Sequence, residues 1–74
     1  TQATMTLGVQ TAQPVRVSLF DMLGRQVRVL HDGPVSPAQP VTVTVRAGQL
    51  APGLYFVRAV GAQATTTRRI VIVR

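Results

Sequence analysis

VRVSLFDMLGRQVRVL, residues Val15–Leu30, sets two alternating apolar runs on either side of Asp21-Met22-Leu23-Gly24-Arg25. A period of two puts every second side chain on one face of a pleated strand. An Asp at the first position of a type I turn bonds backbone amides two or three residues on. A Gly at the fourth position accepts the positive φ that often follows. The segment therefore predicts a strand, a sharp corner built on Asp21 and Gly24, and a second strand. Val15, Val17 and Leu19 point inward and Arg16 and Ser18 outward; after the corner, in Gln26–Leu30, Val27 and Val29 share a face opposite Arg28.

The same alternation recurs on both sides of this corner. Met5, Leu7 and Val9 alternate with Thr4, Thr6 and Gly8 as a first strand, and Thr11–Pro14 reads as a turn. His31–Pro40, HDGPVSPAQP, holds one Gly and three prolines, so it reads as a loop or a blunted edge, with His31 a surface loop residue. Val41, Val43 and Val45 alternate with Thr42, Thr44 and Arg46. Leu50-Ala51-Pro52-Gly53 carries the Pro-Gly pair of a type II turn, with Pro52 fixing φ and Gly53 supplying φ > 0. In Leu54–Val60, Tyr55 and Val57 take one face, Phe56 and Arg58 the other; Tyr55 suits the core if its hydroxyl finds a partner. Gly61-Ala62-Gln63 turns the chain into Ala64–Val73, one extended strand or two broken near Thr66.

Composition agrees with this pattern. The apolar share is 46%, with Val its commonest residue and Thr frequent besides, and neither Glu nor Lys occurs, so the chemistry favours strands over helices. Turn signals every eight to twelve residues or so imply an all-β fold: an Ig-like antiparallel β-sandwich of six to seven short strands. A small barrel leaves the same signature. At 74 residues the chain makes one small domain with a marginal core, and with no Cys it has no disulfide or thiolate support.

The net charge of +6 comes from eight Arg against Asp21 and Asp32, which favours anionic partners. The lack of Asn and Cys fits a thermophile. One His, two Asp, no Glu and no Cys offer no base–nucleophile pair and a poor hard-cation cage, so the reading is not an enzyme, with no cofactor and no metal. Charge alone supports nucleic acid, without the aromatic interleaving of an RNA-binding sheet, so no nucleic-acid partner is expected. A carbohydrate-binding accessory module needs exposed aromatics, and Phe20, Tyr55 and Phe56 are the whole supply. A passive Ig-like spacer shares every fold feature and is the other alternative.

Three blocks in order resemble the C-terminal sorting domain of the type IX (Por) secretion system, type A family. Val17, Leu19, Asp21, Gly24, Arg25 and Val27 match its first block; Leu50, Gly53, Tyr55, Phe56 and Arg58 match its second. Arg68, Arg69, Val71, Val73 and Arg74 match its basic–apolar tail, with Arg where many members carry Lys. The chain departs from the family in lacking the Pro-Asn-Pro segment before the first strand. The resemblance implies a C-terminal secretion and sorting signal that directs a larger cargo across the outer membrane to the cell surface, after passage through the periplasm. It implies residues 1–74 as a single domain excised from a larger secreted protein and covalently preceded by cargo. Implied partners are the outer-membrane secretion machinery, a sortase-like peptidase and anionic lipopolysaccharide, with homodimers through edge strands a further possibility. Asp21, Gly24, Pro52 and Gly53 are expected to shape turns. Arg25, Phe56, Arg58, Arg68, Arg69, Val71, Val73 and Arg74 are the expected recognition residues, with Arg46 and Arg58 adjoining the terminal arginines in one basic stripe.

Overall fold

The computed structural model describes residues 2–46, 48, 50–62 and 64–73, leaving the side chain of Gln2 aside. Six strands follow in chain order: β1 (Gln2–Leu7), β2 (Gln13–Asp21), β3 (Gln26–Val35), β4 (Val41–Arg46), β5 (Gly53–Val60) and β6 (Thr65–Ile72). They form two antiparallel sheets, a pair β1-β4 and a four-stranded sheet in the order β3-β2-β5-β6. The sheets pack as a sandwich around one core, as the alternation predicts, and do not close into a barrel.

Burial follows the parity of the sequence. From β2 come Val15, Val17 and Leu19; from β5 come Tyr55, Val57 and Ala59. β4 contributes Val43 and Val45 from the facing sheet, and Val35, Leu50 and Ile72 complete the buried set. Ala3, Met5, Leu7, Val9, Leu30, Val41 and Ile70 pack against it from partly buried positions. Each full burial of such a side chain is worth roughly 1.5–3 kcal/mol.

Four local expectations need correction. Gln13 and Pro14 belong to β2 rather than to a turn, because the pairing with β3 reaches Gln13↔Val35. The prolines at Pro14 and Pro34 face each other there, a register that asks neither for an N–H. The segment after Leu30 continues β3 to Val35 instead of leaving the sheet, so the blunted-edge reading of His31–Pro40 applies to its first half. His31 is accordingly a strand residue, partly buried, with Nε2 3.2 Å from the Gly33 carbonyl oxygen.

Val27 and Val29 are both exposed with the partly buried Arg28 between them, which fits the face they are expected to share and makes it the outer one. The β2–β3 register slips between Val17 and Ser18 and again between Leu19 and Phe20. Two bulges absorb the extra β3 residues, and Val27 and Val29 remain 41% and 39% exposed. The chain then turns at Ser36, whose carbonyl accepts from the Gln39 N–H at 3.1 Å, and β4 begins.

The loop before β5 departs from the type II geometry. Gly53 has φ +151°, far from the roughly +80° of that turn, and already pairs with Ile72 as the first residue of β5. Ala51–Gly53 is a bend that feeds the strand directly, through a conformation only Gly adopts freely. Ala64–Val73 resolves into one strand, β6, with no break at Thr66.

Candidate recognition surfaces

The corner between β2 and β3 is a three-residue hairpin loop. The Gly24 N–H donates to the Asp21 carbonyl at 3.0 Å, and the Asp21 N–H donates to the Arg25 carbonyl at 3.0 Å. Gly24 sits at φ +83°, which completes a type I turn followed by a glycine bulge. The Asp21 carboxylate then ties the loop from inside. Its Oδ1 accepts from the N–H groups of Leu23 at 2.9 Å and Arg25 at 3.0 Å, and its Oδ2 from Arg25 Nε at 2.9 Å. Arg25, which turn geometry does not require, is thus the counter-ion of the residue that does.

These donors stabilise the charged carboxylate. The Arg25 amide chiefly holds Asp21 below the ordinary carboxylate pKa; desolvation opposes it, and the Leu23 amide and the Arg25 side chain add to the lowering. A lowered folded value means the stabilisation is complete above the unfolded Asp value of about 4 and fades as pH falls through the folded one. Urea midpoints are therefore expected to hold level from about pH 7 to 5 and to drop below about pH 4. Asp21→Asn should lower the plateau and flatten that acid limb; an unchanged limb would remove Asp21 as its source.

A second lock sits at the start of β5. Tyr55 is buried, and its hydroxyl donates to the Ala51 carbonyl, four residues upstream, at 2.7 Å. This satisfies the one polar atom of the ring and pins the Leu50–Gly53 loop against the core. It is the same device as the tyrosine corner of Ig-type sandwiches. A third tie joins distant segments: Gln13 Oε1 accepts from the Ala62 N–H at 2.9 Å. A Cβ on Gly61 would meet that oxygen at 2.5 Å, so a larger residue there would push the Gln13 side chain out of this bond.

The outer face of the four-stranded sheet carries Phe56. Directly paired residues share a face, so the rows Gln26–Phe20–Phe56–Arg69 and Ser18–Arg58–Thr67 run across it. Leu54 stands opposite Val71 in the next row. Phe20 and Phe56 are partly buried cross-strand neighbours, and Arg58 and Arg69 are diagonal to each other beside them. Phe20, Phe56, Met22, Arg58 and Thr67 line a cavity of about 280 Å³ on this face.

The expected basic stripe is not assembled. Arg68 is paired with Val57, on the core side of β6, yet stays exposed because the two-stranded sheet does not reach over it. Arg69 and Arg58 belong to the opposite face. Arg46 ends β4 in the other sheet, opposite Gln2. Val71 and Val73 are 63% and 58% exposed, and Arg74 lies outside the described residues.

Sequence reasoning overlooked Met22 and Leu23. They occupy the two central positions of the turn and are 67% and 74% exposed, the most exposed large apolar side chains in the described residues. The signal was available, since the central side chains of a type I turn point to solvent. Among the described residues there is no group of three His, Cys, Asp or Glu placed to hold a metal, and no helix long and apolar enough to cross a membrane.

Comparison with known families adds one match. The family of secretion system C-terminal sorting domains covers residues 2–73, nearly the whole chain. Searches of curated proteins and of solved structures found no significant match. The family is not catalytic, and its members are secreted and surface-attached by way of the outer membrane. With the three sequence blocks, the sandwich and a match over residues 2–73, this chain belongs to the C-terminal sorting domains of the type IX secretion system.

Proposed function

We propose that residues 1–74 act as one sorting and attachment domain joined to a preceding cargo, and that the secretion machinery reads its last strand. The observation that carries this reading is the open edge of β6. That strand is hydrogen-bonded to β5 on one side, and no described strand pairs with it on the other. Its free N–H and C=O groups are suited to strand addition, and Arg68 and Arg69 lie exposed along it. Val71 and Val73 supply exposed apolar side chains at its end, and Arg74 adds a further cation. A sortase-like peptidase then separates the domain from cargo that becomes joined to anionic lipopolysaccharide. Arg25 shapes the hairpin in this scheme, while Phe56 and Arg58 present an apolar–basic face to the same machinery.

The test is a fusion of residues 1–74 behind a signal peptide and a reporter, expressed in a host with a type IX system. The reporter should reach the cell surface or medium. Removing residues 68–74 should hold it in the periplasm, with circular dichroism separating lost recognition from lost folding. An intact, folded fusion that stays in the periplasm would refute the reading.

A further inference from the structure

The four most exposed large apolar side chains of the described residues gather at one end of the molecule. Met22 and Leu23 form the β2–β3 hairpin tip at 67% and 74% exposure, and Val71 and Val73 close the last strand at 63% and 58%. The antiparallel register brings them together. Asp21 pairs with Tyr55, Leu54 with Val71 and Gly53 with Ile72, so the hairpin tip and the end of β6 leave the sheet on the same side. Strands of eight to ten residues span ~26–33 Å. The long axis of the 37 × 22 × 15 Å domain therefore follows the strands, and this apolar group caps one narrow end.

The net charge around the cap is positive. Arg25 stands at the tip, Arg69 lies two residues before Val71, and Arg58 shares the cavity floored by Phe20 and Phe56 with Met22. The acid at this end, Asp21, is taken up by Arg25 and the turn amides. The other acid, Asp32, pairs in register with Arg16 near the opposite end of the sheet. The tip is also held in place: the Asp21 bonds fix the backbone that presents Met22 and Leu23.

We infer that this end of the domain docks on an anionic lipid bilayer, with Met22 and Leu23 inserted among the acyl chains and Arg58 and Arg69 against the headgroups. Two observations favour lipid over a protein pocket. The cap is aliphatic and thioether only, whereas protein hot spots draw on Trp, Tyr and directional bonds. Hydrocarbon requires only apolar area, with no matching shape. Beyond the neutral Asp21–Arg25 pair, Arg58 and Arg69 leave this end net positive, which suits a continuous anionic surface, and attraction of that kind adds to apolar insertion. The contact shares residues with the proposed sorting surface but is tested apart from it, since it needs only the domain and lipid.

The chain has no Trp, so Leu23→Trp gives a single reporter at the tip. Vesicles of phosphatidylcholine with about 30% phosphatidylglycerol should shift its emission to the blue and bring quenching by brominated acyl chains, while pure phosphatidylcholine should do far less. In cosedimentation, the Met22→Ser/Leu23→Ser double variant should bind about tenfold more weakly than the natural chain. Arg69→Gln should weaken binding more than Arg16→Gln, which removes equal charge from the other end, and Val60→Ser should bind as the natural chain does. Circular dichroism checks the fold of each variant.

Undiminished binding by the double serine variant would overturn the inference. So would equal losses for Arg16→Gln and Arg69→Gln, which indicate attraction by net charge alone. A blue shift that appears without vesicles and grows with protein concentration would assign the cap to a second copy of the chain instead. Because reporter export is read in cells and vesicle binding on the isolated domain, failure of either leaves the other standing.

Discussion

Leu19→Ala is expected to remove about 3–4 kcal/mol of folding stability, within the range for buried leucines. Leu19 is fully buried on β2, a central strand paired on one side with β3 and on the other with β5. Truncation leaves a cavity between neighbours that the sheet holds in register, so the surrounding backbone has little freedom to close it. A domain of 74 residues has a total stability of only about 4–11 kcal/mol at typical per-residue values. The loss is thus about a quarter of the total or more. Urea unfolding should show a midpoint well below that of the natural chain with an unchanged slope. Leu23→Ala provides the contrast within the same hairpin. Its side chain is 74% exposed, so the expected change lies within about 0.5 kcal/mol. Equal effects of the two substitutions would contradict the burial pattern described for β2 and the tip.

Tyr55 should give the second large effect, and two substitutions divide it. Tyr55→Ala removes a buried ring and its hydroxyl together, at an expected cost of about 3–5 kcal/mol. Tyr55→Phe keeps the ring and loses the bond to the Ala51 carbonyl. Ala51 is exposed, so water can replace the lost donor, which sets the Phe variant near the lower end of about 0.5–1.5 kcal/mol. For a domain of this size the Phe variant should melt a few degrees lower, at about 4–8 °C per kcal/mol, and the Ala variant far lower. A Phe variant as unstable as the Ala variant would mean that the loop anchor, not the ring, dominates at this position.

The sequence reading succeeded where one side chain dictates one geometry. Alternation over Val15–Leu19 and Val41–Val45 gave the buried faces, because a strand with one wet side has no other stable register. Asp21 and Gly24 gave the hairpin corner, because the carboxylate and the positive φ are both local properties. The reading failed where the partner strand decides. Pro34 looks like a loop residue by itself and becomes a strand residue opposite Pro14. Nothing local to Val27 or Leu30 announces a bulge, since the slip arises from matching β3 to a straight β2. Gly53 was assigned the sign of its φ but not its value, which depends on pairing with Ile72.

The recognition residues divide along the same line. Val71, Val73 and Arg69 could be placed on an exposed strand from their order alone. That Arg68 faces the other side from Arg69 follows from the same period of two, whereas Arg46 lying in another sheet is a matter of topology. Met22 and Leu23 were hidden by their chemistry: apolar side chains inside an apolar-rich segment suggest a core unless the turn is resolved into its positions.

The two margins of the four-stranded sheet are unlike each other. β3 is bent by two bulges and carries Pro34, while β6 is a regular eight-residue strand with no proline. A fibre grown by adding sheet to sheet needs a sticky margin on both sides of every unit, so that each newcomer offers a fresh surface to the next. This sheet has one. A second copy laid antiparallel on β6 covers the regular margin of both four-stranded sheets. Two copies joined β6 to β6 would each leave only the bulged, proline-bearing β3 margin outside, a poor template for a third.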